Sequence, residues 1–139
     1  MSTNKELLGK FYEALATFWS TGNADIFDTV IAADCVNHIA GFPPTLEGLK
    51  QALPAFRQGF PDMQVTEFES WEDNGTVADR VVWTATHTGD FMGIPATGKP
   101  IKVSEIHINR FADGKLVERW GNWDQMGMMQ QLGVIPAQG

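Results

Sequence analysis

Apolar residues in the first sixty positions recur at steps of three and four, whereas later in the chain they tend to alternate with polar ones. Leu7, Leu8, Phe11, Tyr12, Leu15, Phe18 and Trp19 keep the helical step, and Thr3 with Glu6 fits a capping box, so the spacing predicts a long amphipathic helix at the start. "STGN" (20–23) ends it. A shorter helix from Ala24 to about Ala32 carries Ile26, Phe27, Val30 and Ile31; "CVNHI" (35–39) reads as a short strand and "GFPP" (41–44) as a turn. A third helix is predicted in "TLEGLKQALPAFRQGF", where Leu46, Leu49, Leu53, Phe56 and Phe60 share a face and Pro54 must kink the helix or end its first part.

After "PDM" (61–63) the pattern turns to strands. Residues 64–72 and 76–89 flank "DNGT", whose Asn74-Gly75 pair suits a two-residue hairpin turn. That register sets Glu69 opposite Arg80 and Glu67 opposite Val82, and gathers Phe68, Val77, Val81, Trp83 and His87 on a mostly apolar face. The loop "FMGIPATGKP" (91–100) leads to a strand from Ile101 to Phe111, and "ADGK" turns the chain into a last strand from Leu116 to about Asp124. Helices followed by an antiparallel meander indicate an α+β fold, with three N-terminal helices packed on one face of a curved antiparallel sheet, in a single domain over 1–139.

The last hairpin carries the candidate chemistry. With "DG" (113–114) centring a two- or four-residue loop, His107 faces Trp120, Glu105 faces Asn122 and Asp124 lies beside Val103. One face then holds Glu105, His107, Asn109, Glu118, Trp120, Asn122 and Asp124, and the other Ile106, Ile108 and Val117, an apolar surface that predicts a homodimer. A one-residue slip would break the grouping. Such a polar face is either solvated or lines a pocket. Asp124 is accordingly either the N-cap of "QMGMMQQL" or a desolvated carboxylate with its pKa raised for acid–base work. His107 is a proton-transfer partner or a structural histidine, and His38 and His87 have the corresponding pair of readings at a cavity wall or mouth. Phe42, Phe91, Met92, Trp83 and Trp120 are either lining for a flat apolar ligand or plain core.

Composition narrows the function. The chain has 139 residues, 43% of them hydrophobic and 19% charged, which suits an ordinary globular domain with room for a pocket. A net charge of −7 without a basic cluster argues against nucleic acid and an anionic membrane surface as partners. The single cysteine, Cys35, precludes an internal disulfide, no Cys/His spacing resembles a zinc site, and the N-terminus resembles neither signal peptide nor membrane span. A cytoplasmic protein without metal or cofactor is expected. Neither a phosphate loop nor a nucleophile elbow is present, and Met126, Met128 and Met129 read as packing.

The segments "GLKQALPAFRQGFPD" (48–62), "WTATHTGDFMGIPATGK" (83–99) and "FADGKLVERWGNWDQMGMMQQLG" (111–133), in this order, resemble the SnoaL-like polyketide cyclases and the wider ester cyclase group. The resemblance covers most of the chain. It implies a cone-shaped α+β barrel of the nuclear-transport-factor-like type, with helices closing a curved sheet over a deep pocket. It also implies a cofactor-free intramolecular aldol cyclisation of a polyketide ester, in which an aspartate at the end of the last strand is acid and base; by motif that residue is Asp124, with His107 assisting. His38, Phe42, Trp83, His87, Met92, Glu105, Trp120 and Asn122 are the expected contacts to a small apolar or aromatic ligand. The competing readings are a non-catalytic binding or accessory protein of the same fold, an isomerase or hydrolase on that scaffold, and a structural domain with a filled cavity.

Overall fold

The computed structural model describes residues 3–136. Helix α1 (Asn4–Thr21) begins where the Thr3 hydroxyl accepts from the Glu6 N–H at 3.1 Å and ends at Gly22, whose φ of 77° suits a residue without Cβ. The second helical stretch is a 3₁₀ segment, Ala24–Thr29, and the strand after it is longer than predicted: β1 spans Ile31–Ile39. Helix α2 (Leu46–Gly59) continues through Pro54, so the proline does not end its first part. Pro54 lies on the exposed side, where water can replace the missing backbone bond, while Leu46 and Leu53 anchor the other side in the core.

Strands β2 (Gln64–Asp73), β3 (Thr76–Thr86), β4 (Pro100–Ala112) and β5 (Lys115–Trp123) follow, and helix α3 (Gln125–Leu132) closes the described chain. The sheet order is β1-β5-β4-β3-β2. The β2–β3 hairpin turns at Asn74 and Gly75, both at positive φ, and pairs Glu69 with Arg80 and Glu67 with Val82, as the Asn-Gly turn predicts. The sheet is mixed rather than antiparallel throughout, because β1 pairs with β5 in parallel. No tight turn ties these two strands: α2 and three strands lie between them in the chain, so their relative direction is free of hairpin geometry.

Along β3 and β4, odd-numbered residues point to the helices and even-numbered ones away. Val77 is buried with Leu8, Phe11, Ala14 and Phe18 of α1, and Val81 and Trp83 are buried with Phe60 at the end of α2. Two apolar clusters form, one under the first half of the chain around Phe18, Phe27 and Leu116, the other around Phe60, Phe91, Val103 and Met128. Tyr12 and a cavity lie between them.

The loop after β3 is seated by backbone. Thr88 and Gly89 donate to the Gly59 carbonyl at 3.1 and 3.2 Å, and a Cβ on Gly89 would stand 2.0 Å from the Gln58 carbonyl oxygen. Gly89→Ala should therefore force the loop off the end of α2 and cost about 1–3 kcal/mol, read as a lower urea midpoint at unchanged slope.

Candidate active site

The hairpin β4–β5 decides what faces the cavity. Asp113 and Gly114 form the two-residue turn, with Ala112 opposite Lys115 and Phe111 opposite Leu116, but the register then shifts, and Arg110 pairs with Glu118. Val117 is the extra residue of a β-bulge. Beyond it His107 lies opposite Gly121, Glu105 opposite Trp123 and Asn109 opposite Arg119, so the expected pairing of His107 with Trp120 and of Glu105 with Asn122 is corrected by one residue. Arg119, Gly121 and Trp123 turn inward; Glu118, Trp120 and Asn122 turn outward, beside Ile106 and Ile108.

A cavity of about 120 Å³ lies between the helices and this inner face, many times the room one water needs. Its walls are largely apolar, with Trp19, Leu49, Phe56 and Val81 among them. Of the residues expected around a ligand, Phe42, Trp83, Glu105 and His107 line it. The others lie elsewhere. His38 is on the outer face, stacked on Trp120 at 5.2 Å and bonded to Glu118 at 2.9 Å. His87 is buried beside Phe60, where its Nδ1 accepts from the Thr97 N–H. Met92 is 68% exposed on its loop, and Trp120 and Asn122 face outward. Asp124 is a helix cap: it is exposed, and its carboxylate accepts from the Gly127 N–H at 2.9 Å. The conditional reading of Asp124 resolves to the cap.

A buried polar network forms one wall of the cavity, and three of its members, Tyr12, Asp79 and Arg119, were not among the sequence candidates. His107 sits at its centre, with Nδ1 3.0 Å from Asp79 and Nε2 2.9 Å from Glu105 Oε1. The other oxygen of Glu105 accepts from the Trp83 indole at 2.6 Å. The Tyr12 hydroxyl donates to Asp79 Oδ2 and accepts from Arg119 Nη2 at 2.7 Å; Asn109 donates to the Val77 carbonyl at 2.9 Å and approaches Asp79 at 3.5 Å. Arg119 also lies 3.8 Å from Asp79 and stacks over Phe11 at 4.4 Å. Gly121 is the floor under the imidazole: a Cβ there would meet His107 Cδ2 at 2.4 Å.

The electrostatics follow from this geometry. Burial pushes the Asp79 carboxyl up, but the His107 hydrogen bond, the charges of Arg119 and His107 and the Tyr12 hydroxyl outweigh it, so Asp79 titrates below the ordinary carboxylate range. Burial raises the Tyr12 phenol far above its usual value, against the pull of Arg119 and with the help of Asp79, so it stays protonated. Because Asp79 is ionised, His107 donates to it from Nδ1, which leaves Nε2 in hydrogen-bond contact with the Glu105 carboxyl. Cys35 also lines the cavity, but burial pushes its thiol up to about 11, leaving it a poor nucleophile. Among the described residues no group of His, Cys, Asp and Glu has metal-site geometry, and no helix is long and apolar enough to cross a membrane.

Asp79 makes the fold sensitive to acid. A carboxyl held low in the folded state contributes stability above its unfolded value of about 3.9 and loses it as pH falls. Asp79→Asn should cost about 3–5 kcal/mol near neutrality, by stranding buried cations. Urea melts across pH should show the gap to wild type narrowing below about pH 4.

The comparisons agree with this architecture. The sequence profile of the SnoaL-like polyketide cyclases matches residues 9–132. The aklanonic acid methyl ester cyclase DnrD of Streptomyces peucetius is 29% identical over 138 residues, spanning 96% of this chain and 92% of its own. The nogalonic acid methyl ester cyclase of Streptomyces nogalater is 27% identical over 128 residues, spanning 86% of this chain and 92% of its own. Among solved structures, wild-type IdmH of Streptomyces antibioticus superposes with a TM-score of 0.76 at 30% identity, covering 93% of this chain and 97% of that one. With the helix-covered mixed sheet, the apolar cavity and a match over most of its length, the chain belongs to the SnoaL-like polyketide cyclase family.

Proposed function

We propose that the protein is a cofactor-free polyketide cyclase that closes a carbon–carbon ring by an intramolecular aldol reaction, with Glu105 as the acid–base group and His107 as its proton-sharing partner. The observation that carries this reading is the place of Glu105. Its carboxylate stands where an apolar cavity meets a buried ion network, bonded on one oxygen by Trp83 and on the other by His107. In the proposed reaction Glu105 removes a proton from a carbon between two carbonyls, and the electron pair left behind is shared with a carbonyl oxygen as an enolate. The enolate carbon then attacks a second carbonyl of the same molecule; a C–C bond forms, the C=O pair moves to oxygen, and that oxygen takes the proton back from Glu105. The product is an isomer of the substrate, and the two reacting carbons gain from being held in one bound molecule. His107 steadies the carboxylate in both protonation states.

The substrate class is taken from the relatives, whose names give methyl esters of aklanonic and nogalonic acid. With either ester, wild-type protein should form a product of unchanged mass. Glu105→Gln should lower kcat about 10²–10⁴-fold while still binding the ester, and Asp124→Ala should keep kcat while losing about 1 kcal/mol of stability as a missing cap. Full turnover by Glu105→Gln, or loss of turnover in a folded Asp124→Ala, would overturn the assignment. Binding without isomerisation would return the protein to the class of binding modules.

A cytoplasmic homodimer is part of the same reading, supported by the buried free thiol of Cys35 and by the outer face of the sheet. Trp71, Ala78, Ile108 and Trp120 stand in register across four strands there, with Ile106, 60% exposed, on the next row. Light scattering should give twice the chain mass, and Ile106→Glu should halve it; a wild-type monomer at all concentrations excludes the dimer.

A further inference from the structure

The network contains a cation that the proposed chemistry has not used. Arg119 is 6% exposed and lines the cavity, yet its Nε is fully buried with no hydrogen-bond partner, while Nη2 is the nitrogen that bonds Tyr12. A buried N–H left unmatched costs about 1–3 kcal/mol, so the guanidinium is short of acceptors, and where Arg119 lines the apolar chamber an oxygen that carries negative charge suits it. The guanidinium cannot swing away to water. Phe11 lies under its plane at 4.4 Å and the Tyr12 hydroxyl holds its Nη2 end at 2.7 Å. These contacts fix a planar donor set before any ligand arrives, which is the condition under which such donors stabilise a developing charge most.

Resting on the reading of Glu105 as the base, we propose that Arg119 is the oxyanion-binding catalytic residue, and that the ligand class of the cavity is a planar, largely apolar molecule presenting one acidic enol or phenol oxygen to it. Charge balance supports the assignment. Before reaction the wall holds two carboxyl groups, Asp79 and Glu105, in contact with His107, and the guanidinium of Arg119 beside Asp79. When Glu105 accepts the carbon-bound proton it becomes neutral, and the negative charge reappears on the enolate oxygen. With that oxygen against Arg119, the charge crosses the cavity wall without any unpaired ion being left in the apolar interior. Asp79 remains the fixed counter-ion of Arg119 throughout.

The test uses 7-hydroxycoumarin, a planar phenol whose absorption band moves on ionisation, and reads the pH at which the bound probe loses its proton. Wild-type protein should favour the phenolate at least about tenfold, lowering that pH by one unit or more relative to free probe. Arg119→Met should bind the probe and abolish the shift, and Arg119→Lys, which keeps the charge without the planar fork, should keep part of it. Glu105→Gln should enlarge the shift by removing a neighbouring negative charge. In the cyclisation assay Arg119→Met should lose about 10²–10³-fold in kcat. A probe that fails to bind, ionises no more readily when bound than when free, or shifts equally in a folded Arg119→Met overturns the proposal. These arms separate the two assignments: a normal phenolate shift with full turnover by Glu105→Gln sinks the base and spares Arg119, and the reverse pattern does the opposite.

Discussion

His107 bridges two carboxylates, Asp79 at 3.0 Å and Glu105 at 2.9 Å, inside a fold that gives neither ring nitrogen access to bulk water. Buried charges persist only when paired and hydrogen-bonded, so this bridge obliges the rest of the network to exist. Asp79, completely buried, needs Arg119 and Tyr12 on its second oxygen; Arg119 needs Phe11 and Tyr12 to hold its plane. The participants come from α1, β3, β4 and β5, so the same network that forms one wall of the cavity fastens the helix to the sheet. Gly121 belongs to this constraint although it has no polar side chain, because the imidazole occupies the space where its Cβ would be.

One bulge decides which side chains take part. Without the extra residue Val117, β5 would present Glu118, Trp120 and Asn122 to the cavity and turn Arg119 to solvent. The network would then lack the guanidinium, and Asp79 would lose the cation beside its second oxygen. The bulge also places the indole of Trp120 and the His38–Glu118 pair on the outer face, where solvent can screen the charges. A local irregularity in the hydrogen-bond ladder thus separates a surface from a site.

Much of this was legible in the sequence, and what was not has identifiable causes. The Thr3 cap, the Asn74-Gly75 turn with its register and the inward face of β4 follow from local patterns that tertiary packing had no reason to override, while the Asp124 cap and the two-residue Asp113-Gly114 turn were each one of two readings that the sequence left open. The bulge carries no such mark, since an extra Val in a strand rich in apolar residues looks like any other, and the expected facing of Trp120, Asn122 and Asp124 failed with it. Asp79 did leave a signal: it stands between Val77 and Val81 on a face read as apolar, and a lone carboxylate there asks for a buried cation. Tyr12 was hidden by its helical spacing, which fits core and site equally well. The parallel pairing of β1 depends on a long connection, which local pattern does not encode.

The family resemblance and the geometry speak to different things. The resemblance accounts for the scaffold: helices over a sheet and an apolar chamber between them. Chemistry depends on where the titratable groups stand in that chamber. Asp124 stands outside it, with its charge already spent on the Gly127 N–H at the mouth of α3, where solvent is near and little is gained by moving a proton. Glu105 stands at the boundary, its two oxygens oriented by Trp83 and His107 before a ligand enters. In the proposed reaction a base in that position would work against fixed dipoles instead of reorganising water, and the charge it gives up would reappear beside Arg119 without leaving the network. The electrostatic cost of the enolate in the proposed reaction would thereby be met by groups that the fold had to pair in order to fold at all.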